Sequence, residues 1–125
     1  MTKPIPDGWH SVTPRLFVDD PERMVTFLKQ AFAAVESPRF RKDAPVELRV
    51  GDSTLMVGDA HARRATSSFF YLYVLDTDET YRRAVTAGAK SLEEPQMMFY
   101  GDRRAMVEDP FGNVWQIATH VEDVT

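Results

Sequence analysis

Two carboxylates lie in segments that alternate polar and apolar residues, close to arginines that can orient a substrate. Glu47 precedes Arg49 in one segment, and Glu108 ends another. A carboxylate that is removed from water can act as a general base. The sequence therefore indicates Glu47 and Glu108 as candidate catalytic bases, with Arg15 or Arg49 holding the substrate. Exposed cross-strand ion pairs are the structural alternative.

Aromatic side chains accompany these charges on one face of the predicted strands. Because successive strand residues point to opposite faces, a helix-facing apolar set leaves a second set on the other face. The helix-facing set is predicted to be Leu16, Leu48, Leu55, Leu72, Val107 and Ile117. The second set has the mixed composition of a pocket for small organic ligands: Thr13, Arg15, Phe17, Glu47, Arg49, Met56, Phe69, Tyr71, Tyr73, Arg104, Met106, Glu108 and Gln116. The tyrosines can equally fill a barrel mouth or a dimer interface.

The segment Phe99–Arg103 (FYGDR) adds two candidate contacts at the rim of this face. Gly101 and Asp102 are typical of a turn, and the Asp102 side chain is predicted to hold that turn by hydrogen bonds. Tyr100 and Arg103 would then meet an anionic or planar ligand.

Few other side chains suit metal or nucleophilic chemistry. There is no cysteine, so neither disulfides nor thiolates are available. His10, His61 and His120 fall outside the predicted inward positions of core strands and are interpreted as surface or rim residues, although His10 and His120 flank outer strands and can approach each other. Asp109 is interpreted as a residue that stabilises a turn, and Trp115 as a core residue that faces the helices.

Composition limits the classes of protein that this chain can represent. A length of 125 residues with 43 % hydrophobic and 27 % charged residues predicts a single domain spanning residues 1–125. The net charge of −4, without a basic cluster, argues against nucleic acid as a partner. No apolar run approaches the roughly 18 residues of a membrane span, and residues 1–8 do not resemble a signal peptide. We therefore expect a cytoplasmic protein with no membrane partner.

The candidate residues lie on an internal repeat. Thr13–Asp20 (TPRLFVDD) and Phe69–Asp76 (FFYLYVLD) are both alternating strands that run into a helix start. Half of such a duplication rarely buries its apolar face alone, so the halves should share one sheet system. We expect module one over about residues 9–58 and module two over about residues 68–120.

Turn and capping residues divide each module into elements. Asp20 and Asp76 are placed to cap the two helices, and Gly51-Asp52 indicates a hairpin. Strands are predicted at Thr13–Val18, Val46–Val50, Thr54–Val57, Phe69–Val74, Met97–Tyr100, Arg104–Glu108 and Asn113–Ala118.

These motifs resemble the vicinal oxygen chelate superfamily, and within it the glyoxalase/bleomycin-resistance-like or PhnB-like proteins. The resemblance rests on the VDD strand end, the GDS turn, FYGDR and DPFGNVWQIATH, and covers about residues 10–122. It implies an α+β fold in which two tandem βαβββ modules form an incomplete barrel around a cleft, commonly completed by a homodimer. In metal-dependent members of the superfamily, four inward His or Glu side chains hold a divalent ion.

Carried onto this chain, those four ligand positions fall on Thr13, Met56, Phe69 and Gln116. These residues do not supply the imidazole or carboxylate donors that a divalent ion prefers. We therefore expect no metal ion and no other cofactor.

Two functions remain open. The first is a small-molecule-binding protein that sequesters a partly aromatic compound in a homodimer cleft. The second is a lyase, isomerase or dioxygenase-like enzyme with an atypical or metal-free site, in which Glu47 or Glu108 acts as the base. The missing ligand set and the aromatic face favour the first. The cleft is predicted to contain Thr13, Arg15, Phe17, Arg49, Met56, Phe69, Tyr71, Tyr73, Tyr100, Arg103 and Gln116.

Overall fold

The chain forms two successive βαβββ modules, seen in a computed structural model that describes residues 3–39, 41–61 and 64–124. The first contains β1 Arg15–Val18, α1 Pro21–Phe32, β2 Val35–Glu36, β3 Val46–Val50 and β4 Ser53–Asp59. The second contains β5 Phe69–Tyr73, α2 Thr77–Thr86, β6 Lys90–Met97, β7 Asp102–Glu108 and β8 Val114–His120. The predicted α+β fold with duplicated modules is confirmed.

Each module forms its own four-stranded sheet, so the prediction that the halves share one sheet system is wrong, and what they share is the core. Both sheets have the same arrangement. The strand orders are β1-β4-β3-β2 and β5-β8-β7-β6. In each sheet the first strand of the module runs parallel to its last strand, and the other neighbours are antiparallel. The described residues form no closed barrel. Each sheet packs its apolar face against the helices and leaves the opposite face open.

Both helices begin where the sequence predicts. The Asp20 side chain accepts a hydrogen bond from the Arg23 N–H at 3.2 Å, and Pro21 occupies the first helical position, where no donor is needed. Asp76 accepts from the Glu79 N–H at 3.1 Å in the same way. Neither helix in the described ranges is long and apolar enough to cross a membrane.

One core lies between the helices and the inner faces of both sheets. It contains five of the six predicted helix-facing residues, among which Leu48 and Ile117 are fully buried, and the sixth, Leu72, is partly buried against it. Trp115 stands between the modules, with its ring centroid 4.7 Å from that of Phe32 in α1 and 4.3 Å from that of Phe70 in β5. Since burying an aromatic side chain contributes about 2 kcal/mol, these rings couple the two modules.

The prediction of a strand at Met97–Tyr100 is wrong. The strand is β6, which ends at Met97, and the next residues form a turn in which the Gly101 N–H donates to the Met98 carbonyl at 3.1 Å. β6 is an edge strand, contains Pro95 and pairs with β7 through two register shifts. An edge position and a proline remove the alternation that marks a strand in a sequence.

A buried aspartate closes the turn between β7 and β8. Asp109 is 3 % exposed, and its Oδ1 accepts from the backbone N–H groups of Phe111 at 2.8 Å and Asn113 at 3.0 Å. Its Oδ2 accepts from Asn113 Nδ2 at 3.0 Å and from Trp115 Nε1 at 2.9 Å. The prediction that Asp109 serves the turn is confirmed, and the residue also fixes the central ring of the core.

Replacing Asp109 with alanine leaves these buried donors without an acceptor. We therefore expect Asp109→Ala to lower the free energy of unfolding by about 3 kcal/mol, measured by urea denaturation. Asp43→Ala, which removes an exposed carboxylate paired with Arg41, is the control and should change the value by less than about 0.5 kcal/mol. Equal effects in the two variants would contradict this role for Asp109.

Candidate ligand-binding face

The open face of the second sheet carries a cluster that we call the tyrosine face. Its members are Tyr71 and Tyr73 of β5, Tyr100 of the turn after β6, and Asp102 and Arg104 of β7. Strand register brings the cluster together, because Tyr73 lies beside Ala118 of β8 and Ala118 lies beside Arg104. Alternation directs these strand residues away from the helices.

Asp102 is the centre of this cluster, although a carboxylate is costly to bury. It is 1 % exposed, and its Oδ2 accepts from the hydroxyl groups of Tyr71 at 2.6 Å and Tyr73 at 3.0 Å. Its Oδ1 lies 2.8 Å from Nδ1 of His120. Charged groups are buried only with such compensation. The Tyr71 hydrogen bond is the largest cause that holds the pKa of Asp102 below its usual range.

A chain of hydrogen bonds continues from Tyr71 to the edge strand. The hydroxyl oxygens of Tyr71 and Tyr100 are 3.1 Å apart, and the Tyr100 oxygen accepts from Arg104 Nη1 at 3.1 Å. Arg104 Nη2 donates to Glu93 at 3.0 Å. The rings of Tyr71 and Tyr73, which are 39 % and 61 % exposed, lie with their centroids 5.2 Å apart. Two partly exposed aromatic rings are thus held in fixed positions.

Both tyrosines that bind Asp102 are stabilised as neutral phenols. Burial, followed by the hydrogen bond to Asp102, raises the pKa of Tyr71 well above its ordinary value. For Tyr73 the hydrogen bond to Asp102 is the largest cause of a raised pKa. A phenolate beside a carboxylate is unfavourable, so both hydroxyl groups keep their protons.

His120 links the tyrosine face to the C-terminal segment. Its Nδ1 is 2.8 Å from Asp102, and its Nε2 is 2.6 Å from Asp123. A neutral imidazole has one N–H, whereas two carboxylates each need a donor, so this geometry requires the imidazolium. The two carboxylates raise the pKa of His120, and Asp123 contributes more than Asp102.

The C-terminal segment also contacts the turn at Gly101, where no side chain fits. The backbone N–H groups of Val121 and Glu122 donate to the Gly101 carbonyl at 2.9 Å and 3.2 Å. A Cβ at Gly101 would lie 2.0 Å from the Glu122 carbonyl oxygen, and the φ of +98° favours glycine. The turn that carries Tyr100 is therefore held from both sides.

The open face of the first sheet has different chemistry. The Arg15 guanidinium lies 5.3 Å from the ring centroid of Phe17, and this ring packs against Gly58, where a Cβ would approach it to 3.0 Å. Register places Met56 between Arg15 and Glu47. A cavity of about 450 Å³ opens beside Arg15 and Phe17. This face combines an aromatic ring and a thioether with charged groups.

Comparison with known proteins agrees with this architecture. A family model described as the glyoxalase/bleomycin resistance protein/dioxygenase superfamily matches residues 10–117, which is most of the chain. The chain belongs to this superfamily. An uncharacterized protein of Mycobacterium bovis is 30 % identical to it over 91 % of this chain and 86 % of the relative.

Solved structures share the fold of this chain. TioX from Micromonospora sp. ML1 has a TM-score of 0.78 and 24 % identity, covering 90 % of this chain and 99 % of TioX. A glyoxalase/bleomycin resistance protein/dioxygenase family enzyme from Burkholderia phytofirmans PsJN has a TM-score of 0.76 and 21 % identity, covering 86 % and 95 % of the two chains. At these identities the similarity concerns the fold, and function has to be argued from the site.

The four positions to which the resemblance assigns the metal ligands of the superfamily can be located in the structure. Met56 and Gln116 occupy corresponding places in the last strand of each module, Phe69 begins β5, and Thr13 precedes β1. A thioether, an amide, a phenyl ring and a hydroxyl do not match the imidazole and carboxylate donors of a divalent site. Within the described residues, no group of three or more His, Asp or Glu side chains is placed to hold an ion. The absence of a cofactor stays a prediction.

The predicted cleft residues divide between the two open faces. Arg15, Phe17, Arg49 and Met56 lie on the first, whereas Phe69, Tyr71, Tyr73 and Gln116 lie on the second with Tyr100 at its edge. The candidate bases Glu47 and Glu108 are half-buried, one on each face. Arg49 Nη2 and Thr54 Oγ1 both donate to the Gly8 carbonyl, at 3.4 Å and 3.3 Å, so the N-terminal segment covers this end of the first face. Ligand binding by these residues stays a prediction.

Arg103 lies away from the predicted rim position. Its Nε and Nη2 donate to the Asp78 carboxylate of α2 at 2.7 Å and 3.0 Å. Because β7 already begins at Asp102, alternation sends the next side chain to the helix side of the sheet. The rim position predicted for Arg103 is therefore wrong, whereas Arg104 lies on the open face as predicted.

Sequence reasoning missed the pair formed by Asp102 and His120. Asp102 was expected to hold its own turn, but its carboxylate binds residues of β5 and β8 instead. His120 was expected outside the core strands, but β8 extends to it and places it on the same face as Gln116. His120 lies four residues after Gln116, and residues an even number of positions apart in a strand point to the same face. This spacing is the feature of the sequence that could have placed His120 on the open face.

The His120 bridge predicts a pH dependence of stability. Because folding raises the pKa of His120 above its ordinary 6.5, the bridge stabilises the protein fully below that value. Its contribution is lost as the pH rises through the folded-state pKa. We expect urea denaturation at successive pH values to show this loss in the wild type and not in His120→Gln.

An NMR titration of the His120 ring tests the same bridge directly. We expect a pKa above 6.5 in the wild type and a lower one in Asp123→Asn, since Asp123 is the larger cause of the shift. The other two histidines, which are unchanged by the substitution, serve as internal references. A wild-type pKa at or below 6.5 would contradict the bridge.

Proposed function

We propose that this protein binds a small, partly aromatic compound in a cleft between the open faces of its sheets, completed by a second copy of the chain and containing no metal. The observation that carries the proposal is the tyrosine face, whose rings are exposed to solvent yet held in place by Asp102. Side chains fixed in advance lose little entropy when a ligand binds. Aromatic surface with a few oriented polar groups is typical of small-molecule sites.

The second copy is supported by the apolar side chains around the tyrosine face. Phe69, Leu75 and Phe99 are 63 %, 100 % and 92 % exposed. Large apolar side chains exposed to this extent are typical of surfaces that contact another molecule. Because the two modules share one arrangement, the open face of the first can meet the open face of the second in another copy, with twofold symmetry. The resulting cleft has one tyrosine wall and one arginine wall.

The enzyme alternative has less support from the geometry. It assigns a lyase, isomerase or dioxygenase-like reaction to an atypical or metal-free site, with Glu47 or Glu108 as the base. Both carboxylates are only half-buried. Deep burial is the usual means by which a protein turns a carboxylate into an effective base near neutral pH. Binding without turnover therefore fits this site better.

Metal analysis of the purified protein, combined with thermal-shift screening against planar heteroaromatic compounds, separates the two functions. We expect at least one such compound to raise the melting temperature, without stoichiometric metal and without chemical change on incubation. Stoichiometric zinc, nickel, manganese or iron, or conversion of the bound compound, would support the enzyme alternative.

Removing one ring from the tyrosine face should weaken binding. For any compound found by the screen, we expect Tyr73→Ala to raise the Kd about tenfold or more, equivalent to about 1.4 kcal/mol, measured by isothermal titration calorimetry. Tyr81→Phe, which loses only a 2.7 Å hydrogen bond to Ser91 beside α2, is the matched control and should keep the wild-type Kd. An unchanged Kd in Tyr73→Ala would exclude the tyrosine face from the site.

A charge placed on the exposed apolar rim should separate the two copies. We expect sedimentation equilibrium to give twice the mass of the chain for the wild type and a single chain for Phe99→Glu. Gln30→Glu, on the exposed surface of α1, introduces the same charge elsewhere and should leave the dimer intact. A monomeric wild type at micromolar concentration would contradict the shared cleft.

A further inference from the structure

The hydrogen bonds of the tyrosine face account for every hydroxyl proton on it. Tyr71 and Tyr73 each have one such proton, and both donate it to Asp102. In the 3.1 Å contact between Tyr71 and Tyr100, the donor must therefore be Tyr100. The Tyr100 oxygen in turn accepts from Arg104, whose guanidinium can only donate. All three hydroxyl groups point their protons toward the protein.

What remains available to a ligand are acceptors and ring faces. Tyr73, which is 61 % exposed, accepts no hydrogen bond within the described residues and keeps both lone pairs of its oxygen. Donation to a carboxylate polarises a phenol, which increases the negative charge on its oxygen and ring face. The Gln116 amide beside Tyr71 can donate or accept, and it does not bias the choice of ligand.

Arg104 and His120, the positive groups closest to the tyrosines, already have partners, except that the buried Nε of Arg104 has none among the described residues. Arg104 directs its two terminal nitrogens at Tyr100 and Glu93, and its side chain is only 17 % exposed. The His120 ring is bound between two carboxylates. Glu108, further along the open side of β7, lies opposite Lys90 of β6 in the strand register and forms no salt bridge with any described residue. Beside Tyr73 the face therefore offers a free phenol acceptor next to the buried Asp102 carboxylate, and the cations closest to it, Arg104 and His120, are held by other groups.

We infer that the ligand group received by the tyrosine face is a planar cation that donates hydrogen bonds, such as an amidinium, a guanidinium or a protonated heteroaromatic amine. This inference rests on the proposed function, because it names the ligand class of the same site. A planar cation can stack on the Tyr73 ring and donate to a tyrosine oxygen. An anion would gain a phenol donor only by breaking a hydrogen bond of this network, and taking it from Tyr71 or Tyr73 would leave the buried Asp102 carboxylate short of a partner.

The open face of the first sheet has the opposite preference. Arg15 and Arg49 are donors on that face, so they suit acceptor groups at the other end of a ligand. The charge of a probe alone consequently does not show where it binds. An experiment has to locate the probe as well as measure its affinity.

Three probes with one aromatic scaffold test the inference: naphthalene carboxamidine, naphthalene carboxamide and naphthalene carboxylate. They have nearly the same shape and differ in charge and in donor capacity. We expect the amidine to bind wild-type protein at least about tenfold more tightly than the carboxylate, with the carboxamide between them. In NMR titrations, the amidine should shift the ring signals of Tyr71 and Tyr73.

Tyr73→Phe isolates the hydroxyl acceptor, because it keeps the ring and the net charge. We expect it to weaken amidine binding about threefold or more and to leave carboxylate binding unchanged. Tyr81→Phe should change neither affinity. Since all three proteins have the same net charge, general attraction of a cation to an acidic protein cannot produce this difference.

The outcomes distinguish the inference from the proposal on which it rests. If the carboxylate shifts the same tyrosine signals and binds as tightly as the amidine, the ligand class is wrong while small-molecule binding stands. If amidine affinity is the same in Tyr73→Phe as in the wild type, the acceptor role of Tyr73 is wrong. If none of the three probes binds in the millimolar range, and the heteroaromatic screen also finds no ligand, the proposed function fails with the inference.

Discussion

A carboxylate that solvent does not reach has to find its hydrogen-bond donors within the protein, and Asp102 finds them on two other strands. Tyr71 and Tyr73 approach it from β5, and His120 approaches it from the end of β8. Leaving such a group unpaired costs more free energy than an ordinary hydrogen bond contributes, so the surrounding side chains are strongly constrained. The positions of the exposed rings, the end of β8 and the start of the C-terminal segment all follow from this one buried charge.

The duplicated modules show how one framework supports two different surfaces. Register makes Arg15 and Phe17 of β1 the counterparts of Tyr71 and Tyr73 of β5. Among the described residues of the first module there is no counterpart of Asp102, and a long connection joins β2 to β3 where a tight turn joins β6 to β7. Its open face has an arginine, Arg15, that forms no salt bridge with a described residue, and a phenylalanine ring, Phe17, that packs on Gly58. A homodimer that pairs unlike faces would use this difference to bind the two ends of one ligand through different chemical groups.

Local signals in the sequence were enough to predict the parts of the fold that depend on neighbouring residues. The helix caps at Asp20 and Asp76 involve residues three positions away, and the alternation around Leu48 reports directly which face is buried. The role of Asp102 could not be predicted in this way, because an aspartate that holds a turn and a buried aspartate that binds distant side chains look the same in a sequence. Its partner Tyr71 lies 31 residues earlier, and only the assembled sheet brings the two together. The bounds of β6 were not predicted correctly for a related reason, since edge strands lack the apolar alternation that burial imposes.

Tyrosine ionisation, followed by ultraviolet difference absorption during an alkaline titration, tests the central role of Asp102 most directly. Asp102→Asn removes the charge with little change in shape, and urea denaturation of the same variant establishes that it is folded. The account predicts that in the wild type part of the phenolate signal appears above the ordinary tyrosine pKa of 10.0, and that in Asp102→Asn the Tyr73 component moves back toward it. Superimposable titration curves for the two folded proteins would contradict the claim that this carboxylate organises the tyrosine face.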